Sequence, residues 1–244
     1  MLCICNYASA GIARKDLICQ AKIYHNLEDF KDQYILPFMK IEVCLSTVEE
    51  AIRAEKSGAN QVELCTRLDL DGITPPLDLV RSVVESITIP VKVIINPKPF
   101  DYHYDKRDMN SIISVASEMV EVGVTGFVFG PLDNNKLPNI HQLADLSQVT
   151  RLPITYHKAI DESRDILESL QILHASNLVE TILTSGGATT AVEGLQTILK
   201  MKEYLERMNS KIEIIAAGAI NPTNLEKLHK ALNLKHYHGR KILG

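Results

Sequence analysis

The feature that most constrains this chain is a repeated alternation of short β-rich runs with longer helical runs, which begins at Met39. Apolar residues recur at helical spacing between the β-rich runs, as at Leu77, Val80 and Val83. Eight strands alternating with seven helices predict a parallel sheet, because each helix carries the chain back to start the next strand. The predicted strands are Lys40–Cys44, Gln61–Leu64, Val91–Ile95, Gly126–Phe129, Pro153–Tyr156, Thr181–Leu183, Glu213–Ala216 and Lys235–Tyr237.

The repeat length of roughly 25 residues favours a closed barrel over an open, doubly wound sheet. An open nucleotide-binding sheet normally has a glycine-rich loop after its first strand, whereas residues 44–47 contain no glycine. We therefore predict an α/β fold, a (β/α)8 TIM-type barrel of parallel strands over residues 39–244. The sequence ends just after the eighth predicted strand, so we predict that the eighth helix is missing or truncated. Residues 1–38 or a second subunit would cover that wall, and we expect a homo-oligomer, a dimer or higher.

Residues 1–38 lack the alternating pattern and are predicted to form an N-terminal extension of undetermined order. The formal net charge is −4 and no segment is strongly basic, which argues against nucleic acid or an anionic membrane as a partner. No apolar run is long enough to span a bilayer. The five cysteines are odd in number, which favours free thiols in a reducing compartment and predicts a cytoplasmic protein.

Two predicted strands carry nearly the same tripeptide, Glu42-Val43-Cys44 and Glu63-Leu64-Cys65. Strand alternation places the glutamate and the cysteine of each tripeptide on one face, which we interpret as the barrel interior. Neighbouring strands lie about 4.8 Å apart, so the two thiols could approach each other closely. Soft thiolates suit Cu(I) or Zn(II). Alternatively, the cysteines are buried as small hydrophobic residues and the glutamates pair with an inward cation such as Lys92.

Three polar residues follow the fifth predicted strand: His157, Lys158 and Asp161. His157 could serve as acid, base or ligand, Lys158 could hold an anion, and Asp161 could orient His157 or start the next helix. Polar groups at the carboxyl ends of barrel strands are typical of a functional site in this fold.

Small residues follow the sixth and seventh predicted strands, directly before the next helices. Backbone N–H groups in such turns can bind an anion or a phosphate group, although tight turns also need glycine for conformational reasons alone. The predicted anion-binding residues are Ser185, Gly186, Gly187 and Gly218.

Two functions are compatible with these residues. The first is a metal-binding protein that holds Cu(I) or Zn(II) between Cys44 and Cys65. The second is an enzyme acting on a small anionic or phosphorylated metabolite, in which Glu42 or Glu63 would share acid–base work with His157. In that enzyme, Lys92 or Lys158 would neutralise charge, Asp161 would support the site, and the loop glycines would bind the anion.

Six ordered motifs resemble the CutC family of copper homeostasis proteins: Glu42–Cys44, Val62–Cys65, Gly72–Pro75, Phe127–Gly130, Tyr156–Asp161 and Leu183–Gly186. The resemblance implies a cytoplasmic (β/α)8 barrel, often oligomeric, that binds copper. It also implies that Cys44 and Cys65 are the Cu(I) ligands, and it implies no particular reaction. This chain has Asn96, Lys98 and Lys158 where the family usually has arginine, and neither lysine nor asparagine offers the planar, bidentate fork of arginine.

Overall fold

The structure, a computed structural model, describes residues 39–244, and the predictions for residues 1–38 lie outside the described residues. Eight parallel strands close into one barrel in sequence order, with the last strand paired to the first. This confirms the predicted TIM-type fold. The strands are β1 (Lys40–Leu45), β2 (Gln61–Leu64), β3 (Val91–Ile94), β4 (Gly126–Val128), β5 (Ile154–Tyr156), β6 (Thr181–Thr184), β7 (Glu213–Ala216) and β8 (His236–Gly239).

Seven α-helices connect the strands of the described chain: α1 (Val48–Lys56), α2 (Leu77–Ser86), α3 (Lys106–Val122), α4 (Ile140–Thr150), α5 (Ile166–Ser176), α6 (Leu195–Arg207) and α7 (Leu225–Leu232). Two short 3₁₀ turns lie at Leu68–Leu70 and Lys158–Ile160. After β8 the described chain forms a turn over residues 240–243. None of the described helices is long and apolar enough to cross a lipid bilayer.

Helix α3 shows how local sequence sets these elements. Asp105 caps its start by accepting hydrogen bonds from the amides of Arg107 and Asp108, and Gly123 ends it in the left-handed region at φ 99°. The side chains buried against the barrel recur at helical spacing and are Met109, Ile112, Ala116 and Met119. The helix is therefore fixed at both ends and along one apolar face.

The strand register places polar side chains inside the barrel. In the β1–β2 pair, Glu42 lies opposite Gln61, and Cys44 lies opposite Glu63. Branched apolar residues usually fill the interior of this fold, yet here Glu42 and Glu63 are almost fully buried. Buried carboxylates need partners or a function, so the interior of the first strands is a candidate location for a functional site.

Candidate functional site

A cavity of about 160 Å³ opens at the carboxyl ends of the strands. A larger depression of about 890 Å³ lies at the opposite end, where Lys40 and Gln61 begin their strands. Ligands of (β/α)8 barrels bind at the carboxyl ends, so we assign the candidate site to the smaller cavity. Its walls consist of Cys44, Glu63, Leu68, Asp71, Ile94, Asn96, Tyr102, His157, Lys158, Leu183 and His238.

The two predicted thiol ligands are adjacent. The sulfur atoms of Cys44 and Cys65 are 3.4 Å apart, and both residues are reduced and buried. Cys44 lines the cavity, while the Cys65 thiol also approaches the carbonyl oxygen of Leu45 at 3.5 Å. The hydrogen bond between the two thiols, together with burial and the charge of Glu63, raises the pKa of the Cys44 thiol well above its usual value. The Cys44 sulfur is therefore protonated at neutral pH unless a cation replaces the proton.

Glu42 is the centre of a satisfied polar cluster inside the barrel. Its carboxylate accepts hydrogen bonds from His238 Nδ1 at 2.8 Å and from Gln61 Nε2 at 2.6 Å. Lys92 Nζ lies 3.5 Å away and donates to Thr155 at 2.9 Å. Burial alone would raise the pKa of Glu42, but the His238 hydrogen bond and the Lys92 charge lower it to about 2. Glu42 is thus ionised and fully engaged by its neighbours.

Glu63 has a different environment, although it occupies the matching position on the next strand. It is 5% exposed, and its Oε2 has no hydrogen-bond partner among the described residues. His238 Nδ1, the nearest charged group, is 3.6 Å from that oxygen. Burial raises the pKa of Glu63 to about 7 despite the opposing charges of His238 and Lys92. Glu63 is therefore a buried carboxyl group of the cavity that remains open to a ligand, whereas Asp71, the other carboxyl group in the wall, is exposed.

His238 is the functional residue that the sequence analysis missed, because the predicted eighth strand ended at Tyr237. Burial would lower its pKa, but the carboxylates of Glu63 and Glu42 raise it. Each of Glu42, Glu63 and His238 has an oxygen or nitrogen atom within 4.8 Å of the others, a donor set that could coordinate a cation. The sequence feature that could have identified His238 is the alternation His236-Tyr237-His238, which places both histidines on one face of a strand.

His157 lines the cavity with one ring nitrogen already engaged. Its Nδ1 accepts a hydrogen bond from the amide of Ala159 at 3.1 Å, so the proton of the neutral ring lies on Nε2. Nε2 is buried and has no partner among the described residues. Burial lowers the pKa of His157 to about 3, which keeps the ring neutral at physiological pH. The ring centroid of Tyr102 lies 5.0 Å from that of His157 and covers it from the loop after β3.

Asp161 does not contact His157 and does not start the next helix, which Asp165 caps. Its carboxylate accepts hydrogen bonds from the amides of Ser185 and Gly187 at 2.9 Å and 2.8 Å, and from two hydroxyl groups, those of Thr184 and Ser185. An internal anion therefore occupies the loop in which Ser185, Gly186 and Gly187 were predicted to bind an external one.

The other members of the predicted anion site have structural partners as well. The amide of Gly186 donates to Thr184 Oγ1 at 2.8 Å. Gly218 has φ +103°, and a Cβ there would come within 2.9 Å of Ser185 Cβ, so glycine is required by close packing. The role of Ser185, Gly186, Gly187 and Gly218 in anion binding stays a prediction, which these contacts do not favour.

The three positions where the family usually has arginine differ in what they contact. Asn96 is fully buried and is held by hydrogen bonds to Gly72 O at 2.8 Å and from Tyr104 OH at 3.3 Å. Lys98 forms an ion pair with Asp108 at the start of α3 and does not line the cavity. Lys158 does line the cavity and has no ion-pair partner within residues 39–244. Lys158 is therefore the cationic side chain at these positions that a ligand can reach.

Fold and site together define a (β/α)8 barrel with a small cavity at its strand ends and a pair of adjacent thiols, one of which lies in the cavity wall. A sequence profile of the CutC family matches residues 39–243. The chain is 32% identical over 199 residues to the copper homeostasis protein cutC homolog of Homo sapiens, covering 81% of this chain and 71% of that protein. It is also 32% identical over 201 residues to the family protein CutC of Pasteurella multocida, covering 82% and 81%. The chain belongs to the CutC family.

Solved structures agree with the barrel assignment. The putative copper homeostasis protein CutC from Streptococcus agalactiae superposes with a TM-score of 0.77 at 24% identity, covering 84% of this chain and 99% of that one. A putative deoxyribose-phosphate aldolase from Coccidioides immitis superposes with a TM-score of 0.63 at 12% identity, covering 84% and 81%. These similarities show a shared fold, which hosts many chemistries.

Proposed function

We propose that this protein acts in cytoplasmic copper homeostasis by binding Cu(I) between the thiolates of Cys44 and Cys65. The observation that carries the proposal is the pair of reduced, buried sulfur atoms 3.4 Å apart on neighbouring strands. Its relatives from human and mouse are named copper homeostasis protein homologues. Soft thiolates prefer Cu(I) over the hard cations of the cytosol, so the donor set fits the named role.

The surroundings of the two thiols support a monovalent, soft ion. Cys44 and Cys65 pack in one buried cluster with Ile94 and Val128, and Leu68 covers that cluster. An apolar wall of this kind limits access of water and of oxygen-donor ligands. With metal–thiolate bonds of about 2.3 Å, a linear site requires about 4.6 Å between the sulfurs. Binding would therefore separate the two side chains slightly and release their protons.

An anaerobic titration with Cu(I) against a competing chelator tests the proposal. We expect one tightly bound equivalent in the wild type and loss of that equivalent in the Cys44→Ala/Cys65→Ala variant. The chain has three further cysteines outside the described residues, Cys3, Cys5 and Cys19. The matched control is therefore the Cys3→Ala/Cys5→Ala/Cys19→Ala variant, which should keep the tight equivalent.

If the Cys44→Ala/Cys65→Ala variant kept the tight equivalent and the control variant lost it, the assignment of the Cu(I) site to the barrel cysteines would be overturned. X-ray absorption at the copper edge adds an independent readout, since the proposal requires two sulfur neighbours.

The predicted homo-oligomer stays a prediction, and size-exclusion chromatography with light scattering would test it. The enzyme hypothesis for a phosphorylated metabolite also stays untested, and the Asp161 carboxylate in the predicted phosphate loop argues against that part of it.

A further inference from the structure

Two buried polar atoms without hydrogen-bond partners among the described residues belong to side chains that line the same cavity. One is an acceptor, Oε2 of Glu63, and the other is a donor, Nε2–H of His157. Each residue is 5% exposed. Unsatisfied buried polar groups are rare because each one costs free energy. We propose that this cavity binds a short-chain hydroxycarboxylate.

The donor side of the proposed site is held rigidly. The Ala159 amide fixes the tautomer of His157, so Nε2–H can only donate. Gly130 packs against the ring so closely that a Cβ there would lie 2.6 Å from Nδ1 of His157. Lys158, the next residue, adds a positive charge at the cavity wall. A neutral donor beside an ammonium group suits one carboxylate of the ligand.

The acceptor side favours a hydroxyl group. Glu63 Oε2 faces His238 Nδ1 only at 3.6 Å, because that nitrogen donates to Glu42 at 2.8 Å. A ligand hydroxyl can donate to Glu63 whether or not the carboxyl group is ionised, because an unprotonated oxygen always remains. The ligand therefore needs a hydroxyl at one end and an acceptor oxygen at the other.

Size and charge select a carboxylate rather than a phosphate ester. The cavity volume of about 160 Å³ is below the range of roughly 300–1,000 Å³ that is usual for drug-sized ligands. The backbone amides that would bind a phosphate group already donate to Asp161. One lysine and one imidazole N–H remain for the anion, and Asp71 adds a negative charge to the wall. This balance suits a singly charged carboxylate better than a doubly charged phosphate ester.

Isothermal titration calorimetry with glycerate, propionate and glycerol tests the proposal on the full chain. Propionate lacks the hydroxyl groups and glycerol lacks the carboxylate, so glycerate should bind at least about tenfold more tightly than either. The informative variants are His157→Asn, which keeps an acceptor for the Ala159 amide but removes the Nε2 donor, and Glu63→Gln. Each should weaken glycerate binding on the order of tenfold or more.

One control separates this site from the rest of the surface. The variant Glu203→Gln, at an exposed position outside the cavity, should bind glycerate as the wild type does. If either core variant fails to fold, Lys158→Met, in the wall of the cavity, should still weaken glycerate binding and leave glycerol binding unchanged. Equal affinity for all three probes, or no saturable glycerate binding, would each overturn the proposal.

Discussion

Replacement of Asp161 by alanine is expected to lower the free energy of unfolding by about 3 kcal/mol. The carboxylate accepts from two backbone amides, Ser185 and Gly187, and from the hydroxyl groups of Thr184 and Ser185. Alanine leaves the two amides and the Thr184 hydroxyl without this acceptor, whereas the Ser185 hydroxyl keeps the carbonyl oxygen of Ala188 at 2.6 Å. Water can reach only part of this half-buried loop. Urea denaturation of the wild type and the variant measures the difference.

The control for this prediction is Asp145→Ala, because Asp145 is exposed on α4 and has no comparable contacts. Its stability should stay within about 0.5 kcal/mol of the wild type. Added sulfate provides a second readout, since an external anion can replace the missing carboxylate at the free amides. Sulfate should stabilise Asp161→Ala more than the wild type. Equal stabilisation of both proteins would mean that sulfate acts only as a generally stabilising salt and does not replace the missing carboxylate.

The barrel could be predicted from the sequence because its causes are local and periodic. Each strand is a short β-rich run, and each helix buries a stripe of apolar residues at helical spacing. The predicted bounds of β2 and β7 agree with the structure, whereas those of the other strands differ by one or two residues at an end. Strand ends shift because they depend on pairing with the neighbours, which the sequence of one strand does not contain.

The faces of Glu42, Cys44, Glu63 and Cys65 could also be predicted, because strand alternation alone determines them. The hydrogen-bond and ion-pair partners of these residues could not be predicted in this way. The carboxylate of Glu42 meets His238 across the closure between β1 and β8, a contact between residues 196 positions apart. Two nearly identical tripeptides thus acquire different chemistry, since one glutamate lies beside β8 and the other does not.

The group that binds in the loop after β6 could not be predicted from the sequence for a related reason. Glycines and a serine before a helix predict an anion site from local geometry alone. The anion that fills the site is Asp161, which follows the preceding strand and is 24 residues away from Ser185. Sequence patterns identify donors in such loops, but only the fold decides whether a side chain of the same chain satisfies them.

The stability of the protein is expected to fall by about 2 kcal/mol between about pH 8 and about pH 5 through His157 alone. Burial lowers the pKa of His157 from 6.5 to about 3 in the folded state. Well above pH 6.5, the pKa of this ring in the unfolded chain, neither state binds a proton at His157. The residue therefore has no effect on the pH dependence of stability in that range. As the pH falls below 6.5, the unfolded chain gains a proton that the folded protein excludes, and the free energy of unfolding decreases.

The His157→Asn variant isolates this contribution, since asparagine does not titrate and keeps an acceptor for the Ala159 amide. Urea denaturation at several pH values should show that the variant loses less stability in acid than the wild type. The difference in free energy of unfolding between the two proteins should change by about 2 kcal/mol from about pH 8 to about pH 5. Parallel curves would mean that the folded protein binds a proton at His157 as readily as the unfolded chain does, and that burial does not keep the ring neutral in acid. The neighbouring titratable groups are Glu63, Asp71, Tyr102, Lys158 and His238. They are unchanged in the variant, so their contributions to the pH dependence cancel to first order when the two proteins are compared.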